Sequence, residues 1–243
     1  MSNEGTLGRS GYVSGVTLVR SAAIAALLLA ACAGPGRWTR DEGAFAELQA
    51  RLAARGASFV GHTGSFEIAG ERFNADCSGF VQAVYEAEGV PLRRLAAAAA
   101  PGERSGVAAL YRAVQRYGVV FGGGGAWPEP GDLVFWHDTY DRNRDGTRGD
   151  RFTHVGIVER VERGTVVFVH RGGRSVARGV MTPDRPGEAS DGERELNSAI
   201  RSSARGRGGR PGDQEKLLAG ALFAGYARLA PRRVPAELAR AGR

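Results

Sequence analysis

Two β-branched runs near the middle of the chain, Thr153–Val161 and Thr165–His170, constrain the fold more than any other feature. Glu162-Arg163-Gly164 separates them, which marks a β-hairpin. Before them come amphipathic patterns of helical period. Phe45, Leu48 and Leu52 place a helix over Trp38–Arg55, with Gly56 as its stop. Phe80, Val81, Val84 and Tyr85 share one face of a helix over Cys77–Ala87, opened by Asp76 as N-cap and closed by Gly89 and Pro91. Leu110, Tyr111, Val114 and Tyr117 place a third helix over Val107–Tyr117. Gly61–Gly70 reads as a loop and Ala96–Gly106 as an Ala-rich link. Leu133–Trp136 reads as a buried strand and Ser175–Met181 as another. Helices precede strands without βαβα alternation, so the expected class is α+β with an antiparallel sheet.

The hairpin also fixes where its histidines point. The chain has four, His62, His137, His154 and His170, and two of these lie on the hairpin arms. A three-residue loop, Glu162–Gly164, pairs Val161 with Thr165. His154 and His170 then share a face, with Gly156 opposite His170 leaving room for a ring. A two-residue loop puts the rings on opposite faces. Cys77 sits at a helix start, where unpaired N–H groups and the helix dipole favour a thiolate. The bland alternatives are a buried apolar Cys77 and two ordinary strand histidines. His62 and His137 read as structural or exposed, and Trp127, Phe135 and Trp136 as core and cleft wall.

The N-terminus reads as an address. Arg9 and Arg20 precede the apolar run Ala22–Ala33, which is too short for a bilayer span of about 20 residues and fits a secretory signal. Leu29-Ala30-Ala31-Cys32 resembles the bacterial lipobox, which implies a signal peptide over 1–31, lipidation at Cys32 and a leader over 32–38. The expected location is the bacterial cell envelope, with the protein anchored by its N-terminal lipid on the periplasmic or outer-surface side. With Cys32 spent on lipid, Cys77 has no disulfide partner. The formal charge of +7 comes from arginines scattered from Arg9 to Arg243, with no basic stripe beside aromatics. That pattern excludes nucleic acid as the expected partner.

The blocks Asp76-Cys77-Ser78-Gly79-Phe80-Val81, Pro130-Gly131-Asp132-Leu133-Val134-Phe135-Trp136 and Thr153-His154-Val155-Gly156-Ile157-Val158, followed by His170, resemble the NlpC-type and CHAP cell-wall cysteine amidohydrolases. The resemblance covers about residues 70–172. It implies a papain-like α+β fold, with the nucleophile at a helix start packed on a small antiparallel sheet. It also implies cleavage of amide bonds in peptidoglycan stem peptides, or between muramic acid and L-alanine. Carried over, Cys77 is the nucleophile, His154 the general base and acid, and His170 the orienting residue. Asp76 and Ser78 flank the substrate cleft. A non-catalytic wall-binding lipoprotein and an acyltransferase or non-wall amidase are the alternatives.

The remaining chain divides into a catalytic domain over 39–183, an Arg/Gly-rich mobile loop over 184–214, a segment packing back over 215–231 and a charged tail over 232–243. The chemistry requires no cofactor. One metal candidate exists: Asp141, Asn143 and Asp145 with Gly146 have the opening spacing of a calcium loop. Phe152 stands where a Glu is wanted, and Asp150 is the substitute. The alternative is a polar turn with Asp–Arg pairs.

Overall fold

The hairpin forms, but not by the expected turn. In the computed structural model β5 (His154–Glu162) and β6 (Thr165–Gly172) pair antiparallel, with Glu162 opposite Thr165. The turn is therefore the two residues Arg163-Gly164, at φ of 47° and 77°, the twist-matched geometry of a tight hairpin. Alone, this turn would put His154 and His170 on opposite faces. A register shift between Val158 and Arg160 leaves Glu159 as an extra residue and restores the frame. Below it Gly156 faces His170, as expected, through a two-residue turn plus a bulge in place of a three-residue loop.

The description covers residues 42–122, 126–200 and 217–239. The expected signal peptide, Cys32 and the expected leader, residues 201–216 and the last four residues lie outside it. Six strands form one sheet in the order β3-β10-β4-β5-β6-β7. The others are β3 (Gly118–Phe121), β4 (Leu133–Trp136), β7 (Ser175–Met181) and β10 (Phe223–Leu229). Every neighbour pair is antiparallel. On one side pack α1 (Glu42–Ser58), α2 (Cys77–Ala87), α3 (Leu92–Ala99) and α4 (Gly106–Tyr117). Phe80, Leu52 and Leu110 meet Phe135, Val155, Ile157 and Val169 there. Each such fully buried side chain contributes about 1.5–3 kcal/mol. The opposite face has its own cluster of Val134, Trp136, Val158, Phe168, Leu222 and Tyr226. The α+β expectation holds.

Several expected boundaries move. α1 runs through Gly56, because the roughly 1 kcal/mol cost of a helical glycine is outweighed by packing against β5. The Gly61–Gly70 loop contains a strand. β1 (Phe66–Ile68) pairs with β2 (Glu71–Phe73) across Ala69-Gly70, and Phe66 and Phe73 are buried. The Ala-rich link is half helix: Leu92, Leu95 and Ala96 recur at helical spacing and are buried in α3. Residues 184–200 of the expected mobile loop are tied down. β8 (Ser190–Asp191) pairs with β9 (Arg194–Glu195), and Asn197 Oδ1 accepts the Thr182 N–H at 3.0 Å. The segment that packs back enters the sheet as β10, between β3 and β4. In the expected tail, Val234 is buried in the helix-side core and Arg233 donates to the Gly118 carbonyl. Trp127 is exposed and forms no part of the core.

β10 also explains the Pro130-Gly131-Asp132 block. Asp132 is fully buried, and Arg228 from β10 grips it with two bonds of 2.7 Å. Gln49 of α1 and the Glu129 N–H donate to the same carboxylate at 2.8 Å. Burial holds this carboxyl above its usual range despite Arg228. Gly131 has φ of 87° and lies against the Gln49 backbone, where a Cβ would approach the carbonyl oxygen to 2.4 Å. The Asp is thus a structural tie between α1, the β4 entry and β10.

Candidate active site

The N-terminus of α2 carries the thiol. Asp76, in extended backbone, caps the helix: its Oδ1 accepts from the Gly79 N–H at 2.7 Å and from Ser78 Oγ at 2.8 Å. Gly79 is required by the chain's path, since a Cβ there would fall 2.1 Å from the Asn74 carbonyl oxygen. With Gly79 taken by the cap, the N–H groups of Cys77 and Ser78 turn to the sulfur, together with the Val155 N–H of β5. These three donors favour a thiolate. Burial and the neighbouring Asp76 charge oppose it more strongly and push the thiol up to about 12. The resting group is therefore a neutral thiol, contrary to the thiolate expected from the helix dipole alone.

The two imidazoles converge as the register requires. His154 Nε2 lies 2.7 Å from His170 Nδ1, and the rings meet edge to face with centroids 4.9 Å apart. Both are 8% exposed. Trp136 forms their floor, 5.6 Å from His154 and 6.5 Å from His170, and its indole N–H is anchored on the Ala219 carbonyl at 2.9 Å. Burial depresses His170 to about 4, and burial with the adjacent His170 holds His154 well below the usual imidazole range. Both rings are neutral at neutral pH. Room for them depends on glycine: at Gly156 a Cβ would lie 3.3 Å from His170 Cβ, and at Gly172 one would lie 2.8 Å from His170 Cε1.

Cys77, His154 and His170 line one cavity of about 470 Å³ with Asp76, Tyr140 and Arg171. Ser78 is absent from its wall. Its hydroxyl is turned to Asp76 and packs so closely on Gly106 that a Cβ there would lie 2.3 Å away, so Ser78 supports the helix tip and does not flank the cleft. Asp76 reaches the cavity but serves first as a cap. Tyr140, 48% exposed, stands on the same wall, and burial raises its phenol. Sequence reasoning missed Tyr140 and Arg171. Tyr140 lies in an irregular loop without a periodic pattern, and Arg171 has no signal that separates it from the other scattered arginines. His62 and His137 are structural, as expected. His62 Nε2 meets the Ser65 carbonyl at 3.0 Å, and His137 Nδ1 accepts the Phe152 N–H at 2.9 Å.

The polar-turn alternative accounts for most of the oxygens of the calcium-like loop. Among the described residues no group of three or more His, Cys, Asp or Glu could hold a metal ion. Asp141 Oδ2 accepts the Gly146 N–H, Asn143 Oδ1 the Asp145 N–H, and Asp145 Oδ1 both Thr147 donors. Asp150 is buried, accepts the Arg142 N–H at 2.9 Å and faces the Arg142 guanidinium at 3.8 Å. Asp141 Oδ1 is buried without a hydrogen-bond partner. The loop holds itself through its own backbone.

The NlpC/P60 family model matches residues 59–181, about half of the chain, a span that includes α2 and the β4–β7 ladder but not β10. No curated protein matches the chain at significant similarity. The chain belongs to the NlpC/P60 family, whose members are in general cysteine peptidases or amidases that hydrolyse peptidoglycan.

Proposed function

We propose that this protein hydrolyses an amide bond of peptidoglycan stem peptides through a Cys77 thioester. The observation that carries the reading is the 2.7 Å contact of His154 Nε2 with His170 Nδ1 in the cavity that Cys77 lines. That contact occupies His154 Nε2 and leaves Nδ1 as the ring nitrogen that acts as base. For Nδ1 to take a proton, Nε2 must carry one, and His170 Nδ1 then accepts it, which fixes ring and tautomer.

The reaction follows from the neutral resting pair. A thiolate or an imidazolium alone is unstable at this depth, so the proton leaves Sγ for His154 Nδ1 as Sγ attacks the substrate carbonyl carbon. As the sulfur bonds to carbon, the Cys77 and Ser78 N–H groups pass from it to the developing oxyanion, where each donor is worth about 2.7–4 kcal/mol of barrier. The imidazolium gives its proton to the leaving amine as the C–N bond breaks, leaving a thioester. His154 then takes a proton from water, the hydroxide adds to the thioester carbonyl, and the acid and thiol are released.

Mass spectrometry of purified peptidoglycan after incubation with the protein tests this. New amine and carboxyl ends should appear with the native chain. With Cys77→Ala the rate should fall by at least about 1000-fold, with little change in melting temperature. Retained cleavage by that variant would falsify the mechanism. The envelope location and the lipid on Cys32 are proposed from the lipobox resemblance alone. Incorporation of a labelled fatty acid that is lost in Cys32→Ala tests them.

A further inference from the structure

The same cavity holds a charge that this chemistry does not use. Arg171 follows His170 on β6 and pairs with Val176 of β7, which belongs to the helix-side core. Cross-strand partners share a face and consecutive residues alternate, so Arg171 and His170 leave the sheet on opposite sides. Both nevertheless line the same cavity at the end of β6.

Arg171 is only 8% exposed, yet no carboxylate among the described residues pairs with it. Its Nε is buried without any partner. Its Nη1 reaches only the Gly172 and Gly173 carbonyls at 3.5 Å, the outer limit of a hydrogen bond. Arg228 shows what the fold does with a satisfied arginine: it is more exposed, and it holds both Asp132 and Glu129. Asp76, the acid on the same wall, already spends one oxygen on Ser78 and Gly79. A guanidinium has five donors, and a buried one left unmatched is costly unless a ligand completes it. A planar carboxylate matches that fork in geometry and charge.

We propose that Arg171 is a specificity-determining residue that pairs with a free carboxylate on the substrate, close to the scissile amide. The inference rests on the function proposed above. It adds that this enzyme selects stem peptides whose carboxylates are free over those whose carboxylates are carboxamides.

The test uses a synthetic stem peptide with free carboxylates and the same peptide with each carboxylate in turn made a carboxamide. KM for the acid should be lower than for one amidated form by about tenfold or more, with kcat changed less. In Arg171→Met that ratio should collapse towards one, and in Arg171→Lys part of it should return. Binding of the same peptides to Cys77→Ala, measured by calorimetry, separates the two readings. Acid preference in binding without hydrolysis by the native chain sustains the Arg171 assignment while the hydrolase reading falls. Hydrolysis without acid preference overturns the assignment and leaves the hydrolase intact. Failure of Cys77→Ala to prefer the acid, or to bind either form, also overturns it. The native-chain comparison does not depend on the folding of any Arg171 variant.

Discussion

Replacing Arg228 with Met should destabilise the protein by about 3–5 kcal/mol, the cost of leaving a buried carboxylate without its counter-ion. Asp132 is fully buried and would keep only the neutral donors Gln49 Nε2 and the Glu129 N–H. For a domain near 200 residues this is a drop of about 6–20 °C in melting temperature. The sign with pH follows from Asp132, whose carboxyl burial already holds above its ordinary range. The unfolded chain releases that proton near pH 4, and the folded chain holds it to higher pH, so stability falls with rising pH across the interval between. Removing Arg228 raises the folded value further and extends the falling interval. Urea denaturation should therefore show a larger deficit at pH 8 than at pH 5. Asp132→Asn should recover more than half of the deficit in the double variant, because it removes the charge and keeps the shape. A deficit below about 1 kcal/mol, a deficit independent of pH, or no recovery by Asp132→Asn would refute the structural role given to this aspartate.

Other outcomes follow from the site itself. His170, depressed to about 4, stays neutral in the fold while the unfolded chain titrates near 6.5. Its contribution is present above pH 6.5 and is lost as pH falls towards 4, about 3 kcal/mol in all, and His170→Asn should flatten the acid limb of stability against pH. Gly79→Ala should cost about 1–3 kcal/mol or more and disable the site, because the new Cβ meets the Asn74 carbonyl and α2 must move; full activity at native melting temperature would contradict the tight approach. Asp76→Asn keeps the capping oxygen and removes the charge that helps push the thiol up, so the pH midpoint of iodoacetamide alkylation should fall. A midpoint that stays or rises removes Asp76 as a cause.

The local parts of the fold were legible because their signals are local. Asp76 before an apolar 3.6 period announces a capped helix, and the β-branched runs of β5 and β6 break only where the chain turns at Arg163-Gly164. The shared face of His154 and His170 was legible for a less direct reason. The parity of the two strands is set by the total number of residues between the histidines, whether the odd one sits in the turn or in a bulge at Glu159. Sequence therefore constrained the outcome and not the device. What stayed hidden was long-range. Nothing near Phe223–Leu229 says that it enters between β3 and β4, because the partner that holds it, Asp132, lies 96 residues away. The place of Ser78 is hidden for a similar reason: only the approach of α4 at Gly106 shows that its hydroxyl faces inward.

The charges of the resembling blocks divide into two kinds of work. The aspartates of these blocks, Asp76 and Asp132, spend their oxygens on backbone and on Arg228. The groups proposed for chemistry, Cys77, His154 and His170, are each pushed towards the neutral form by burial. A buried neutral pair suits a bond that must be broken away from bulk water. In the proposed reaction charge appears only when substrate is in place, as an opposed pair on sulfur and ring. The arginine on the same cavity wall is then a standing charge that has no carboxylate partner among the described residues. A substrate carboxylate would neutralise it and, in doing so, leave the sulfur and the ring as the two groups whose charges change during the reaction.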